Sequence, residues 1–179
     1  MKKLMLALAA LCLLAGCSCN NVSIRTSDGT LVITSMADNA LRVRMSGDLA
    51  VPALDELIYT GGAKAPAMKV NRKGGDVTCS LPGISVTYYR ATGLLSFRNA
   101  EGEVILQESA RQVKESEIRG VPCYDVVQSF KAPADEHIYG TGQFQDGHLD
   151  VKGLPRRLTQ VNSQISVPFI LSSKGYAVL

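Results

Sequence analysis

The residues with the densest chemistry lie in "DEHIYGTGQFQDGHLDVKG", Asp135 to Gly153, where three Asp, one Glu, two His and four Gly fall within nineteen positions. Asp146, His148 and Asp150 stand at two-residue spacing. On a strand that spacing aims two carboxylates and an imidazole to one side, a donor set that can ligate a metal. Asp146-Gly147, however, reads as a turn, which breaks the strand geometry. Paired carboxylates also serve glycoside hydrolysis, a general acid and a nucleophile standing about 5 Å apart in retaining enzymes. No spacing here singles out such a pair, and Asp135, Glu136 and Asp146 read as solvated loop charges. "GTGQFQ" has Gly140 and Gly142 but Gln145 where a dinucleotide fingerprint needs its third glycine, and no helical pattern follows. With His137 and His148 both inside the stretch, a Ser-His-Asp triad would need long-range geometry. The expectation is no catalytic residue, no metal and no cofactor on this chain.

The elements that must position this stretch repeat with period two. "VSIRT", "TLVIT" and "ALRVRMS" alternate apolar with polar residues, with Leu41, Val43 and Met45 on one face and Arg42 and Arg44 on the other. After a Gly, Ala and Pro-rich loop from Thr60 to Ala67 come "MKVNR", "DVTCSL", "ISVTYYR", "GLLSFRN", "EVILQES", "CYDVVQSF", "RLTQVN", "ISVPFIL" and "GYAVL". Turn signals separate them at Asp28-Gly29, Lys73-Gly74-Gly75, Pro82-Gly83 and Asn99 to Gly102. Only "DELI", Asp55 to Ile58, has a helical period, and it is too short to carry weight. Many short strands at regular spacing predict an all-β fold of two antiparallel sheets, a β-sandwich.

The start of the chain has a different character. "MKKLMLALAALCLLAGC" has a basic beginning at Lys2 and Lys3, an apolar run from Leu4 to Leu14, and a small-residue exit at Ala15 and Gly16. That is the pattern of a secretory signal and is too short to span a bilayer. "LLAGC" resembles a bacterial lipobox, in which Cys17 is lipidated and becomes the new N-terminus. The expectation is a lipoprotein signal over residues 1–17, a tether over 18–21 and the sandwich over 22–179. Ser18 after Cys17, with no acidic cluster behind it, points to an exported protein anchored at the outer membrane. Taking Lys2 and Lys3 from the 19 basic residues leaves 17 against 16 acidic ones, a net charge of +1. No basic run or aromatic stripe remains that would suit a nucleic acid partner. Cys79 and Cys123 both lie in strand-like segments, where a disulfide in an exported protein and two buried thiols are both open readings. "GYAVL" stops at Leu179 in mid-pattern, so the expectation is a domain incomplete at its C-terminal end, taken from a longer polypeptide.

The order of residues late in the chain resembles the end of the N-terminal β-sandwich domain of glycoside hydrolase family 31. Members read as an acidic pair, Tyr-Gly-x-Gly-Gln, a loop, a polar Gln-x-Asn stretch, and an apolar strand ending in Ser-Ser-x-Gly-Tyr. Asp135, Glu136, Tyr139, Gly140, Gly142, Gln143, Gln160, Asn162, Pro168, Phe169, Ser172, Ser173, Gly175 and Tyr176 fit that order. "ALRVRM" and "TGLLSFRNAEGEVILQES" resemble earlier strands of the same domain. Thr141 departs from the family's Leu or Phe, and no role carries over to His148 or Asp150.

The resemblance implies a galactose-mutarotase-like sandwich that precedes a (β/α)8 barrel. In the family the barrel holds the two catalytic Asp residues of a retaining α-glycosidase such as an α-glucosidase or α-xylosidase. This chain alone is then expected to be inactive. Its partners would be an oligosaccharide substrate, its own C-terminal barrel and a membrane reached through the lipid. The glycines are expected to turn the chain where sandwich meets barrel. Gln160, Asn162, Ser163 and Gln164 are the candidate substrate-binding residues, because amides and hydroxyls both donate to and accept from sugar hydroxyls. The alternative is that they satisfy backbone groups at a strand end. A free-standing carbohydrate-binding sandwich lipoprotein is the competing function, disfavoured by the absence of Trp.

Overall fold

The computed structural model describes residues 17–47 and 65–179. Residues 1–16 of the expected signal, the "DELI" stretch and residues 60–64 of the expected Thr60–Ala67 loop lie outside the described residues. The chain divides into two compact units, residues 1–129 and residues 130–179.

In the first unit, β2 (Asn21–Thr26), β3 (Gly29–Ala37) and β4 (Ala40–Ser46) form a three-stranded antiparallel sheet. Alternation along each strand decides what it buries. Val22, Ile24, Leu31 and Ile33 are buried, Ser23 and Arg25 are exposed, and Leu41, Val43 and Met45 pack partly buried against the same core. The first hairpin turns on Ser27 and Asp28, with Gly29 opening β3 opposite Thr26, one position earlier than the Asp28-Gly29 turn expected from sequence.

The second sheet of this unit has seven strands in the order β1-β5-β6-β7-β8-β9-β10. These are β1 (Cys17–Cys19), β5 (Met68–Lys73), β6 (Asp76–Ser80), β7 (Ile84–Tyr89), β8 (Leu94–Asn99), β9 (Val104–Ile118) and β10 (Val121–Phe130). Met68, Val70, Val77, Cys79, Val86, Tyr88 and Leu95 join the residues of the small sheet in one hydrophobic cluster. Two antiparallel sheets closing on one core make the predicted β-sandwich. Residues 17–19, the last of the expected signal and the first two of the expected tether, pair with β5, Cys17 opposite Val70.

Strand order also settles the cysteines. Cys79 on β6 and Cys123 on β10 have β7, β8 and β9 between them. At about 4.8 Å per strand they stand roughly 19 Å apart along the sheet, well beyond the ~7 Å that a disulfide tolerates between Cα atoms. Cys19, Cys79 and Cys123 are free thiols. Burial pushes the Cys79 thiol up to about 11, so it is a packing residue rather than a nucleophile.

A buried ion pair extends the large sheet where its backbone ladder stops. The last paired residues of β8 and β9 on this side are Ser96 and Gln107. One residue further, the Leu95 N–H donates to Glu108 Oε2 at 2.8 Å. Arg111 Nη2 donates to the same oxygen at 3.1 Å and also to the Gly93 carbonyl. Gln128 Nε2 donates to Glu108 Oε1 at 2.7 Å.

The second unit is a three-stranded antiparallel sheet of β11 (Ile138–Gln143), β12 (Ile165–Ser172) and β13 (Ala177–Val178). Val167, Phe169 and Leu171, at alternate positions on one face of β12, are 39%, 37% and 47% exposed, and Ile165 beside them 53%. That face of the sheet is open and apolar.

Candidate functional site

The Asp135 to Gly153 stretch lies wholly in the second unit; Gly153 sits in a turn closed by the Leu154 N–H on the Val151 carbonyl, but Gly140 and Gly142 do not turn the chain. β11 runs straight through them with a bulge between Gly140 and Gly142. Gly140, Thr141 and Gly142 have φ of 108°, 67° and 101°. A Cβ on Gly140 would lie 2.4 Å from the Phe169 carbonyl oxygen, and one on Gly142 2.2 Å from that of Ile165. The glycines are needed because two carbonyls of β12 occupy the space of a side chain.

The charges expected to be solvated separate into two kinds. Asp135 is exposed and pairs with Lys174 at 2.5 Å, and Asp146 pairs with Arg156. Those cations hold both carboxyls below the usual range. Glu136, by contrast, is 2% exposed. Its Oε1 accepts from Ser172 Oγ at 2.5 Å and from the Tyr176 hydroxyl at 2.7 Å. A buried carboxylate has to be met by donors, and both come from the β12–β13 end of the sheet. Lys152 Nζ then donates to the carbonyls of Pro133 and Glu136, binding the segment before β11 to the loop after it.

His137 Nδ1 and Asp150 Oδ2 are 2.6 Å apart. Asp150 Oδ1 accepts from the backbone N–H of Ile138 at 3.1 Å and of Lys152 at 3.0 Å. The bond to His137, followed by those two amides, holds the carboxyl down to about 2. Asp150 is thus ionised at neutral pH and met by three donors, a clamp unsuited to general acid work. Asp146 is engaged instead by Arg156, whose guanidinium lies 4.5 Å over the Phe144 ring, and by the His148 N–H. Asp146, His148 and Asp150 are therefore not gathered into one ligand set, and no cluster of three metal-ligating side chains occurs among the described residues.

The four candidate substrate-binding residues do come together. "RLTQVN" is irregular backbone rather than the strand expected from its pattern, with a single antiparallel bridge between Val161 and Gln164. Asn162 and Ser163 occupy the two central positions of the turn that the bridge closes, and both are exposed. Gln160 Oε1 accepts from the Ser166 N–H at 2.5 Å, and Gln164 Nε2 donates to the Thr159 carbonyl at 2.9 Å. Two of the four side chains therefore serve backbone groups, and two project into solvent.

Sequence reasoning placed Glu136, Ser172 and Tyr176 in the family's order but missed that they meet, and it missed the carbonyl-bound Lys152 and the Glu108–Arg111 pair. No local signal marks them, since an Asp-Glu pair before a strand reads as surface charge until its distant hydroxyl partners are known.

Comparison with known proteins covers most of the chain. Residues 30–179 match the family described as the glycosyl hydrolase 31 N-terminal galactose mutarotase-like domain. An α-xylosidase of Saccharolobus solfataricus is 29% identical over 174 residues, covering 87% of this chain and 22% of that protein. An uncharacterised family 31 glucosidase of Pseudescherichia vulneris is 36% identical over 110 residues, 49% of this chain and 21% of that protein. Among solved structures, the family 31 α-xylosidase of Xanthomonas citri superposes with a TM-score of 0.80 at 25% identity, over 88% of this chain and 18% of that one. A family 31 α-xylosidase from a soil metagenome, solved with xylose, gives 0.68 at 28% identity over 90% and 27%. The chain spans about a fifth of the length of these curated relatives.

Proposed function

We propose, because this chain belongs to the glycosyl hydrolase 31 N-terminal galactose mutarotase-like domain family, that it is the non-catalytic N-terminal domain of a retaining α-glycosidase acting on α-xylosides or α-glucosides of oligosaccharides. The observation that carries the reading is the match over residues 30–179 to a domain that is about a fifth of each α-xylosidase or glucosidase relative. Hydrolysis would belong to a catalytic barrel, whose two carboxylates act by double displacement. The site geometry agrees with that division, since Glu136 and Asp150 are both consumed by structural partners. The open apolar face of β12 suits contact with further polypeptide. The exposed Asn162 and Ser163 suit the leaving-group rim of a saccharide pocket.

The test is p-nitrophenol release from aryl α-xyloside and α-glucoside by this chain alone and by a polypeptide that joins it to its barrel. Release by the joined protein and none by the chain is the expected result; turnover by the chain alone overturns the reading.

Export and lipid anchoring at Cys17 belong to the same proposal and rest on "LLAGC". Metabolic labelling with palmitate should mark the wild-type protein and not Cys17→Ala. Labelling that survives the substitution removes the anchor from the proposal.

A further inference from the structure

The loop between Thr159 and Ser166 is closed by two side-chain amides that act in opposite directions. Gln160, before the turn, reaches forward with its oxygen to the Ser166 N–H. Gln164, after the turn, reaches back with its nitrogen to the Thr159 carbonyl. Between them the backbone closure is weak: Val161 N to Gln164 O is 3.4 Å and Gln164 N to Val161 O is 3.2 Å, both at or past the long end of the usual range. The position of Gln160 has a further consequence. Ser166 pairs with Gly142 on the β11 side, whereas β13 meets β12 only at Ile170 and Leu171. At Ser166 a side-chain oxygen therefore takes the place of a neighbouring strand.

We infer that Gln160 and Gln164 are positioning residues, whose reciprocal amide bonds fix the Asn162-Ser163 tip, and that the tip alone meets the saccharide. The inference rests on the reading of this loop as part of the pocket rim, and it divides a polar cluster that looks uniform in sequence into two contacting and two supporting members. The supporting roles are also chemically unlike each other. A glutamine amide has one acceptor oxygen and one donor nitrogen. Gln160 uses the oxygen, so Gln160→Glu keeps the bond to Ser166. Gln164 uses the nitrogen, so Gln164→Glu exchanges a donor for an acceptor facing the Thr159 carbonyl and breaks the bond.

That asymmetry is the test. In the polypeptide that joins this domain to its barrel, initial rates are measured on a xylosyl-glucose disaccharide and on p-nitrophenyl α-xyloside. Gln160→Ala, Gln164→Ala and Gln164→Glu should raise KM for the disaccharide about three- to tenfold, the equivalent of one lost hydrogen bond, with kcat and the aryl glycoside unaffected. Gln160→Glu should match wild type on both substrates. In parallel, hydrogen exchange at the Ser166 amide should quicken in Gln160→Ala and stay slow in Gln160→Glu. A Gln160→Glu enzyme as impaired as Gln160→Ala would place the Gln160 nitrogen on the ligand and overturn the positioning role. Unchanged exchange at Ser166 in Gln160→Ala would overturn the closure itself, whatever the kinetics. Asn162→Ala with no selective effect on the disaccharide would instead sink the rim reading, and the positioning role with it, while the exchange signature at Ser166 remained.

Discussion

The hydroxyl of Tyr176 donates to the buried carboxylate of Glu136 across 2.7 Å, although forty residues of chain separate them. This bond ties the segment before β11 to the approach to β13, and Ser172 supports it by donating to the same oxygen. Removing the phenol oxygen should leave a buried acceptor short of a donor. Tyr176→Phe should destabilise the fold by about 1–3 kcal/mol in urea denaturation.

Tyr176 also makes an alkaline prediction. Burial, and then donation to Glu136, push the phenol from its ordinary 10 up to about 12. A folded-state value above the unfolded one contributes stability that is complete below pH 10 and lost as pH rises through 12. Phenolate absorbance should show one late tyrosine ionisation that Tyr176→Phe removes. A titration identical in the two proteins would count against the bond.

Acid should act through Asp150. Its carboxyl is held near 2, below the ordinary 3.8, by His137 and by the amides of Lys152 and Ile138. A depressed value contributes stability present above the unfolded value and lost as pH falls from about 4 towards 2. Thermal unfolding of wild type should weaken across that window. Asp150→Asn should weaken less, retaining the part of the decline due to Asp135 and Asp146, whose carboxyls are also lowered.

Gly142 and Gly153 both have positive φ, 101° and 74°, but a Cβ on Gly153 would meet nothing within 4 Å while one on Gly142 would meet the Ile165 carbonyl at 2.2 Å. Gly153→Ala should therefore cost about 1–2 kcal/mol of backbone strain alone. Gly142→Ala should cost clearly more and should speed hydrogen exchange in β11 and β12. Equal costs would mean that the bulge opens without resistance.

In the first unit, Glu108→Ala would leave the Arg111 guanidinium and the Leu95 N–H buried without their carboxylate. Breaking a buried pair from one side costs about 3–5 kcal/mol. Glu108→Gln, which keeps an acceptor oxygen, should lose less in the same denaturation series. A ranking with Gln as harmful as Ala would mean that charge, not hydrogen bonding, holds Arg111.

What the sequence by itself determined is whatever a period of two can encode. Val22, Ile24, Leu31 and Ile33 alternate with polar neighbours, and a strand places alternate side chains on opposite faces whatever its partners are, so the buried face was legible residue by residue. The order of residues from Asp135 onward likewise identified the family without any contact being known. Where the pattern failed, strand pairing was the missing quantity. "RLTQVN" has strand-forming residues in Leu158, Thr159 and Val161 but joins no ladder beyond one bridge at Val161, and Gln160 and Gln164 turned to the loop's own backbone. Gly140 and Gly142 carry the signature of a turn, and only the arrival of two β12 carbonyls made them a bulge. Cys79 and Cys123 were equally open to bonding and to separation until the sheet order placed three strands between them. Glu136 was indistinguishable from Asp135 beside it. Tertiary structure buried one and left the other exposed, because the hydroxyls that compensate a buried carboxylate come from Ser172 and Tyr176, brought to it only when β11 pairs with β12.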